Sequence, residues 1–291
     1  MKVAVIGSNG MLGHDLMSAC EKAGIDVKGY DLPEVDITRD DGGLENVASC
    51  DWVINCAAYT DVDGAEKEQA MAFAVNGDGV RRLVSFCKKR NTPLLHMSTD
   101  YLFDGMAKSA YREDSPVNPL SVYGRSKLAG EKAVLAGGLN KYLIVRTQSL
   151  FGVNGRNFVK AIMARLEAGN EPLKVVSDQT SSPTYTVHLA DAILRLMSCK
   201  KQGIVNASAS GECSWCEFAC AIAGQVKPGA VVMPVTTSEY PRAARRPAYS
   251  VLDKGLYEAW TGSRMPSWEE GLREYLGECN RPRSRARPVP P

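Results

Sequence analysis

The chain has 291 residues, of which 44% are hydrophobic and 23% are charged, and its formal net charge at pH 7 is +2. This composition is typical of a soluble globular protein, and the length suits one α/β domain with an appended lobe. No apolar run approaches the roughly 18 residues of a membrane span, and the chain enters a predicted strand at once. We therefore expect no membrane association, no signal peptide and a cytoplasmic location.

The basic charge is concentrated in one short segment. Four arginines and no acidic residue lie in residues 281–291, a proline-rich stretch that we expect to be a disordered tail. Without those arginines the net charge would be −2, so a basic surface that binds nucleic acid is not expected.

The nine cysteines form neither a metal-binding nor a disulfide pattern. Cys213, Cys216 and Cys220 are spaced to share one helical face, where they are predicted to pack as small apolar residues. A structural zinc site needs four ligands, and a second Cys-x-x-Cys pair is missing. We therefore predict free thiols and no metal site.

The first motif is a glycine-rich turn between a strand and a helix. The apolar run at residues 2–6 predicts a buried parallel strand, and Gly7, Gly10 and Gly13 follow it. From Met11 and Leu12 onward the apolar residues recur at helical spacing. Such a turn brings the backbone close to a pyrophosphate at a helix N-terminus, which predicts dinucleotide binding. The alternative is a tight strand-to-helix turn without a ligand.

Asp31 ends the second predicted strand, which covers residues 27–30. An acid about 20 residues after the glycines can accept hydrogen bonds from the adenosine ribose, and it would repel a 2′-phosphate. We therefore expect NADH to be accepted at least as well as NADPH. The alternative is that Asp31 caps a turn before Pro33.

Strands and helices continue to alternate along the chain. Strands are predicted at 52–55, 93–98, 142–146 and 203–206, and helices at 64–90, from Ser121 and from Ser214, with a polar loop at 178–184. Small residues such as Ala57 and Ala58 after the third strand would let a flat cofactor lie close to the backbone. This order predicts a Rossmann-type, doubly wound parallel sheet. We assign residues 1–150 to a cofactor domain and 151–280 mainly to a substrate lobe, from which some segments return to the sheet.

The chemistry is predicted from three polar side chains. Tyr123 and Lys127 lie four residues apart, so on a helix they share one face, where the ammonium would lower the pKa of the phenol. A tyrosine with a lowered pKa can give a proton to a carbonyl oxygen near neutral pH. Thr99 follows a predicted parallel strand, where its hydroxyl would align the carbonyl with the phenol. The alternative is an exposed tyrosine and a solvated lysine on a surface helix.

Arg245 and Arg246 lie in a loop flanked by prolines. A guanidinium group suits a phosphate, so we predict that both contact a substrate diphosphate. The alternative is a solvated basic loop.

The chain resembles the extended short-chain dehydrogenase/reductases and, within them, the dTDP-4-dehydrorhamnose reductase family. The resemblance is carried by the glycine turn and by residues 55–63, 98–105, 122–131, 146–147, 157–158, 178–184, 214–219 and 246–253. It implies reduction of the C4 ketone of a dTDP-4-keto-6-deoxy-hexose by NADH or NADPH. By the same resemblance, further cofactor contacts are Asp36, Ile37, Tyr59 and Thr60, and further substrate contacts are Asp100 and Asn157.

Two positions qualify the resemblance. The family has Ser-Trp after its Arg-Thr pair, whereas this chain has Gln148 and Ser149, which removes an aromatic contact with the substrate. Some members hold Mg²⁺ at a dimer contact through an acid that Asp15 matches. The chain is therefore expected to be a monomer or a homodimer, with Mg²⁺ as an open alternative.

Two other functions remain open. Sugar-nucleotide dehydratases and epimerases belong to the same superfamily, but the dehydratases follow Thr-Asp with a second acid, and here Tyr101 stands in that place. The regulatory subunit of methionine adenosyltransferase also resembles this family, and such a non-catalytic module can keep the residues of the active site.

Overall fold

The computed structural model describes residues 1–279, so the predicted tail at 281–291 lies outside the described residues. The first half of the chain alternates strand and helix, as predicted. Its elements are β1 (Lys2–Ile6), α1 (Met11–Lys22), β2 (Asp26–Tyr30), β3 (Trp52–Asn55), α2 (Val62–Lys67), α3 (Gln69–Phe73), α4 (Val80–Arg90), β4 (Leu94–Thr99), α5 (Val122–Ala136) and β5 (Tyr142–Thr147).

The second half has shorter strands between its helices. Its elements are β6 (Leu150–Phe151), α6 (Phe158–Glu167), β7 (Leu173–Val176), β8 (Thr180–Ser181), β9 (Thr184–Tyr185), α7 (Thr186–Ser198), β10 (Gly203–Asn206), β11 (Cys213–Ser214), α8 (Trp215–Val226), β12 (Val232–Val235), α9 (Gly255–Thr261) and α10 (Trp268–Cys279). The predicted polar loop at 178–184 thus contains the short strand β8 and the first residue of the short strand β9. The pattern did not reveal them because each has only two residues.

The central sheet has six parallel strands in the order β10-β5-β4-β3-β1-β2. The predicted doubly wound fold is therefore confirmed. Because β1 lies between β2 and β3, the strand order reverses beside β1, and ligands of such sheets bind at the carboxyl ends of the strands there. This places the glycine turn after β1 next to the end of β3, with the end of β4 one strand further along the sheet.

Helices cover both faces of the sheet. On one face α1 and α7 pack on the strands through buried residues such as Leu16, Leu189 and Ile193. On the other face α4 and α5 contribute Leu83 and Val134. The inner strands β1, β3, β4 and β5 are buried from both sides, which explains why they are nearly continuous apolar runs, whereas the edge strand β2 is largely exposed.

A second core lies beyond residue 150. It joins α6, α8 and α10 through a set of aromatic and aliphatic side chains that includes Phe151, Phe218 and Tyr275. Segments after residue 150 also return to the main sheet, because β10 pairs with β5 and α7 packs on α1. Within residues 1–279, each helix is too short or too polar to cross a membrane.

The helix predicted at 64–90 is interrupted, which corrects that prediction. The backbone leaves the helical region at Glu68 (φ −107°, ψ 48°), and a π-helical turn covers Ala74–Gly79. Long-range hydrogen bonds account for both irregularities. The Tyr59 hydroxyl donates to the Glu68 carboxylate at 2.9 Å, and the Asn76 side chain bonds the backbone N–H and C=O of Tyr59 at 2.9 and 3.0 Å.

The prediction that three cysteines share one helical face is wrong. Ser214 caps α8 by a reciprocal pair of hydrogen bonds with Glu217, so the helix begins at Trp215 and Cys213 lies in β11. Cys216 is buried and Cys220 is exposed. All nine cysteines are free.

Candidate active site

A cleft of about 860 Å³ opens at the carboxyl ends of the central strands, which is a volume suited to a small-molecule ligand. It is lined by predicted site residues from several separate segments. These are Gly7, Gly10, Met11, Leu12, Gly13, Asp31, Asp36, Ile37, Ala57, Ala58, Tyr59, Thr60, Thr99, Tyr123 and Lys127. The fold thus brings the predicted cofactor residues and the predicted catalytic residues to one place.

The glycine turn is fixed by close backbone contacts. Gly7 has a φ of 80°, and a Cβ there would lie 2.5 Å from the Ala57 nitrogen. A Cβ on Gly13 would lie 2.2 Å from the Gly7 carbonyl oxygen. Helix α1 begins at Met11 without a side-chain cap on Gly10, so its first N–H groups face the cleft. This end of the cleft fits a pyrophosphate.

The Asp31 carboxylate holds the glycine turn in place. It accepts hydrogen bonds from the backbone N–H groups of Asn9 and Leu32, each at 2.8 Å. Asp31 also lines the cleft, so its free lone pairs can reach a ribose hydroxyl. The turn-stabilising role and the predicted ribose contact are therefore compatible.

Tyr123 lies in the first turn of α5, whose start is held by two caps. The Ser121 hydroxyl accepts a hydrogen bond from Gly124 N at 3.1 Å, and the Glu66 carboxylate accepts one from Val122 N at 2.8 Å. The Tyr101 ring packs edge-on against the Tyr123 ring, with 5.6 Å between the ring centroids. These contacts fix the direction of the phenol before any ligand binds.

Lys127 lies one turn further along α5 and is only 3% exposed. Its Nζ donates a hydrogen bond to the Met97 carbonyl oxygen on β4 at 2.6 Å. Burial lowers the pKa of this ammonium to about 8, although the negative charge of Glu131 partly opposes the shift. The side chain is thus held at the base of the cleft, between the sheet and α5.

The predicted lowering of the Tyr123 pKa is not found in this structure. Burial raises the pKa of the phenol above its usual value, and the opposing effect comes from the nearby Thr99 hydroxyl instead of from Lys127. The prediction assumed that the ammonium points at the phenol. The ammonium instead bonds the backbone of β4, a contact that helical spacing alone could not reveal.

A narrow polar pocket adjoins the cleft on the side of the second lobe. It is lined by Asp100, Tyr101, Ser149, Gln179, Thr180, Ser181, Trp215, Arg246, Pro247 and Ser250. Asp100 therefore faces this pocket, whereas its neighbour Thr99 faces the cleft. Burial raises the pKa of the Asp100 carboxyl to about 6, against hydrogen bonds with Ser250 and Thr99 that lower it.

Arg245 and Arg246 have different surroundings. Arg246 lines the polar pocket, but two of its nitrogens also bind the Asp63 carboxylate on α2, at 2.8 and 3.1 Å. Arg245 is exposed and lies outside both cavities. The structure thus brings only Arg246 to the polar pocket, and a phosphate contact by either residue stays a prediction.

Asn157 lies outside both cavities as well. Its side chain caps α6 by accepting a hydrogen bond from Lys160 N at 3.0 Å, and it donates one to the Gly152 carbonyl at 2.7 Å. These bonds give Asn157 a structural role in the loop before α6. The predicted contact with substrate gains no support from this position.

The two residues that depart from the family pattern both line the cleft. The Gln148 side chain is buried and lies 3.1 Å from the Ser208 hydroxyl. Ser149 has a φ of 49°, and its hydroxyl lies 2.9 Å from that of Ser181. Ser149 lines both cavities and therefore lies at the boundary between them.

Two residues that the sequence did not predict, Arg156 and Asn76, also belong to the site. Arg156 is exposed and lines the cleft with Met11, yet a lone arginine before a helix carries no pattern. Asn76 joins the cleft-lining segment around Tyr59 to α5, since its side chain bonds both the Tyr59 backbone and the Ser126 hydroxyl. The π-helical turn that places Asn76 could not be read from apolar periodicity.

A magnesium site at Asp15 gains no support. The carboxylate accepts a hydrogen bond from the Thr186 hydroxyl, and His14 lies beside it. Burial raises the pKa of Asp15. Among residues 1–279, no group of three or more His, Cys, Asp or Glu side chains is arranged to hold a metal ion.

Comparison with known proteins agrees with this geometry. The family model described as RmlD substrate binding domain matches residues 1–281. The dTDP-4-dehydrorhamnose reductase of Streptomyces griseus is 39% identical over 297 residues, which cover 98% of this chain and 96% of that protein.

Two solved structures are similarly close. A dTDP-4-dehydrorhamnose reductase from Clostridium acetobutylicum is 39% identical, covers 97% of this chain and 100% of its own, and superimposes with a TM-score of 0.91. The enzyme from Bacillus anthracis in complex with NADP is 38% identical, with 95% and 99% coverage and a TM-score of 0.90. Because the family model and these full-length relatives indicate the same family, the chain belongs to the dTDP-4-dehydrorhamnose reductase family.

Proposed function

We propose that the chain reduces the C4 ketone of dTDP-4-dehydrorhamnose to give dTDP-L-rhamnose, with NADH or NADPH as the reductant. One observation carries the proposal: Thr99, Tyr123 and Lys127 line the same cleft as the glycine turn after β1. The substrate follows from family membership and from the names of the relatives.

Different residues along the cleft bind the cofactor and transfer the proton. The nicotinamide cofactor supplies the hydride. The α1 N-terminus and the glycine turn bind the pyrophosphate, and Asp31 accepts from a ribose hydroxyl. Tyr123 gives its hydroxyl proton to the carbonyl oxygen of the sugar, and Thr99 aligns that oxygen with the phenol. The Lys127 ammonium, held at the base of the cleft by the Met97 carbonyl, adds positive charge to the cleft and can bond a ribose hydroxyl.

In this proposal the polar pocket binds the diphosphate of the substrate. Arg246 is held at its wall by Asp63 and still has free N–H donors. Trp215 and Ser149 line the same pocket, whose volume of about 10 Å³ holds no more than about one water, so binding of a phosphate there requires these side chains to move apart. A substrate that spans both cavities would present its sugar to Tyr123 and its phosphates to Arg246.

The cofactor preference follows from Asp31. Its charge disfavours a 2′-phosphate, so NADH should be accepted at least as well as NADPH. A ratio of kcat/KM for the two cofactors that strongly favours NADPH would contradict this assignment.

The activity is tested by mixing the purified chain with NADH or NADPH and dTDP-4-dehydrorhamnose and following cofactor absorbance. We expect oxidation of the cofactor and one equivalent of reduced sugar. If the chain binds the cofactor but none of the dTDP-4-keto-6-deoxy sugars causes its oxidation, the result would favour a non-catalytic binding module. Loss of water from dTDP-glucose without net cofactor oxidation would indicate a dehydratase.

A further inference from the structure

The orientation of the Arg246 guanidinium is set from outside the polar pocket. Its Nη1 and Nη2 atoms donate to the two carboxylate oxygens of Asp63 at 3.1 and 2.8 Å, and Nη1 also donates to the Ala244 carbonyl oxygen at 3.0 Å. Arg246 lines the pocket, whereas Asp63 lies on α2 and lines neither cavity. The carboxylate therefore binds one edge of the guanidinium and stays clear of the space that a ligand would enter.

The remaining donors of Arg246 lie on a second edge of the planar group. A guanidinium has five N–H groups, and the hydrogen bonds to Asp63 and Ala244 use three of them. The two that remain are the Nε–H and one N–H of Nη2, which lie side by side. Two parallel donors of this kind match two oxygens of one phosphate group. The pairing with Asp63 thus leaves the arrangement that suits a phosphate.

Asp63 also fixes the backbone next to Arg246. The Ala244 N–H donates to the Asp63 carboxylate at 3.0 Å, so one carboxylate binds both the side chain of Arg246 and the backbone two residues before it. After Arg246 the chain is attached to the second lobe, because Thr180 N donates to the Ala248 carbonyl oxygen at 2.8 Å. Arg246 therefore lies between one attachment to each lobe, and Asp63 provides the attachment to the first.

The low exposure of the guanidinium explains why it needs a partner before substrate arrives. Only 18% of the Arg246 side chain is exposed, and a cation that is largely removed from water is costly unless an anion lies beside it. Asp63 supplies that anion. The pocket must widen to admit a phosphate, but Asp63 approaches from α2, outside the pocket, so widening does not require the Asp63–Arg246 pair to break.

We propose that Asp63 is a positioning residue for the substrate diphosphate: it binds one edge of the Arg246 guanidinium so that the other edge, with its two parallel donors, faces the phosphate. The inference rests on the proposed reductase function, which places the diphosphate of a dTDP-sugar in this pocket. Asp63 contacts neither substrate nor cofactor and acts only through Arg246. If Asp63 instead competed with the phosphate for the guanidinium, its removal would strengthen binding, so the two roles predict opposite changes in affinity.

The test is the Kd for dTDP, measured by calorimetric titration of the full chain without any keto sugar or turnover. Arg246→Gln should weaken dTDP binding by about tenfold or more, because hydrogen bonds to a charged group are lost. Asp63→Asn should weaken it by about fivefold or more, although Arg246 is still present. Arg246→Lys keeps the charge without the paired donors and should not restore the affinity. The Kd for NADH should stay unchanged in all three variants.

A double-mutant cycle on dTDP affinity separates positioning from a general effect on the fold. In the Arg246→Gln background, Asp63→Asn should have no further effect on the Kd, because Asp63 acts through the guanidinium. A merely structural role would weaken binding in both backgrounds. Arg242→Gln removes the same charge from the same loop but lies outside both cavities, and it should keep the wild-type Kd. Circular dichroism establishes that each variant is folded.

Turnover gives a second readout. With dTDP-4-dehydrorhamnose, Asp63→Asn should raise KM and leave kcat within about threefold, since the phosphate contact is the same in the ground state and the transition state. An unchanged or lower Kd for dTDP in Asp63→Asn, or no dTDP binding by the wild type, would overturn the positioning role. If the variants change dTDP affinity as expected but the wild type oxidises no cofactor with any dTDP-4-keto sugar, the reductase function fails and the role of Asp63 stands.

Discussion

The Asp63 carboxylate on α2 binds the Arg246 guanidinium through two hydrogen bonds, at 2.8 and 3.1 Å, and accepts a third at 3.0 Å from Ala244 N. The pair is mostly shielded from solvent, with 32% of the Asp63 side chain and 18% of the Arg246 side chain exposed. It joins the first lobe to the loop that lines the polar pocket. The hydrogen bond from Arg246 holds the pKa of Asp63 below its usual value.

The Asp63–Arg246 pair is predicted to stabilise the fold as well as the pocket. In a double-mutant cycle of Asp63→Asn and Arg246→Gln, we expect a coupling energy of about 1–3 kcal/mol, because both partners are largely desolvated and bonded in a fixed geometry. The measurement is urea unfolding of the four proteins. The exposed pair Arg39–Asp41 is the control and should couple much more weakly, because solvent screens both charges. Equal coupling in the two pairs would contradict this prediction.

Tyr123→Phe is predicted to lower kcat by about 100-fold or more, because the phenol acts on the transition state. The Kd for NADH should change little, since the cofactor contacts of the glycine turn are unaffected. Tyr142→Phe, at the opposite end of β5 from the cleft, is the matched control and should keep the wild-type kcat. Near-normal turnover of Tyr123→Phe would remove the proton-donor role.

Arg156 is predicted to bind the cofactor pyrophosphate from the second lobe. Its loop is fastened by Lys160, which donates to the carbonyl oxygens of Val153 and Gly155 at 2.6 and 2.9 Å. A Cβ on Gly155 would lie 3.6 Å from the Met11 Cβ, so the loop reaches the N-terminus of α1. The exposed guanidinium therefore lies on the side of the cleft where a dinucleotide carries its phosphates.

Arg156→Gln should weaken NADH binding by about tenfold at low salt, because a hydrogen bond to a charged group contributes about 1.5–3 kcal/mol. The salt dependence of the Kd should become shallower, since one cation no longer faces the phosphates. Fluorescence titration with NADH measures both quantities without any sugar. Arg273→Gln, exposed on α10 and outside the cleft, is the control. An unchanged Kd and salt dependence in Arg156→Gln would refute the contact.

The sequence predicted the parts of the site that depend on neighbours in the chain. The strand before Gly7, the helix after Gly10 and the placement of Thr99 at a strand end follow from local periodicity and turn chemistry, and the structure has them at the expected positions. The parts that depend on distant contacts were not predictable. Asp63 and Arg246 are 183 residues apart, and no local pattern indicates that they pair.

The same reason explains the error at Lys127. Helical spacing places the ammonium on the same face as the phenol, but the direction of a long flexible side chain depends on what it meets in the fold. Here it meets the Met97 carbonyl, 30 residues earlier in the chain. Only the packing of α5 against β4 brings that acceptor within reach, so the local sequence does not determine the pKa of Tyr123.

Lys127 is also predicted to make the stability of the protein depend on pH. Its pKa is about 8 in the folded protein and about 10.5 in the unfolded chain. Below pH 8 the lysine is protonated in both states, and its burial destabilises the fold by a constant amount. Between about pH 8 and pH 10.5 the unfolded chain binds more protons than the folded one, so the free energy of unfolding contributed by Lys127 rises with pH.

Lys127→Met should abolish this rise, because methionine fills a similar volume without a titrating group. The measurement is urea unfolding of the wild type and the variant at several pH values from 7 to about 10. We expect the free energy of unfolding of the wild type to increase relative to that of the variant as pH increases. Taking the difference cancels the cysteines and tyrosines, whose raised pKa values act in the opposite direction. Lys132→Met, on the exposed side of α5, should show no such trend, and a pH-independent difference for Lys127→Met would mean that the ammonium is not destabilised by burial.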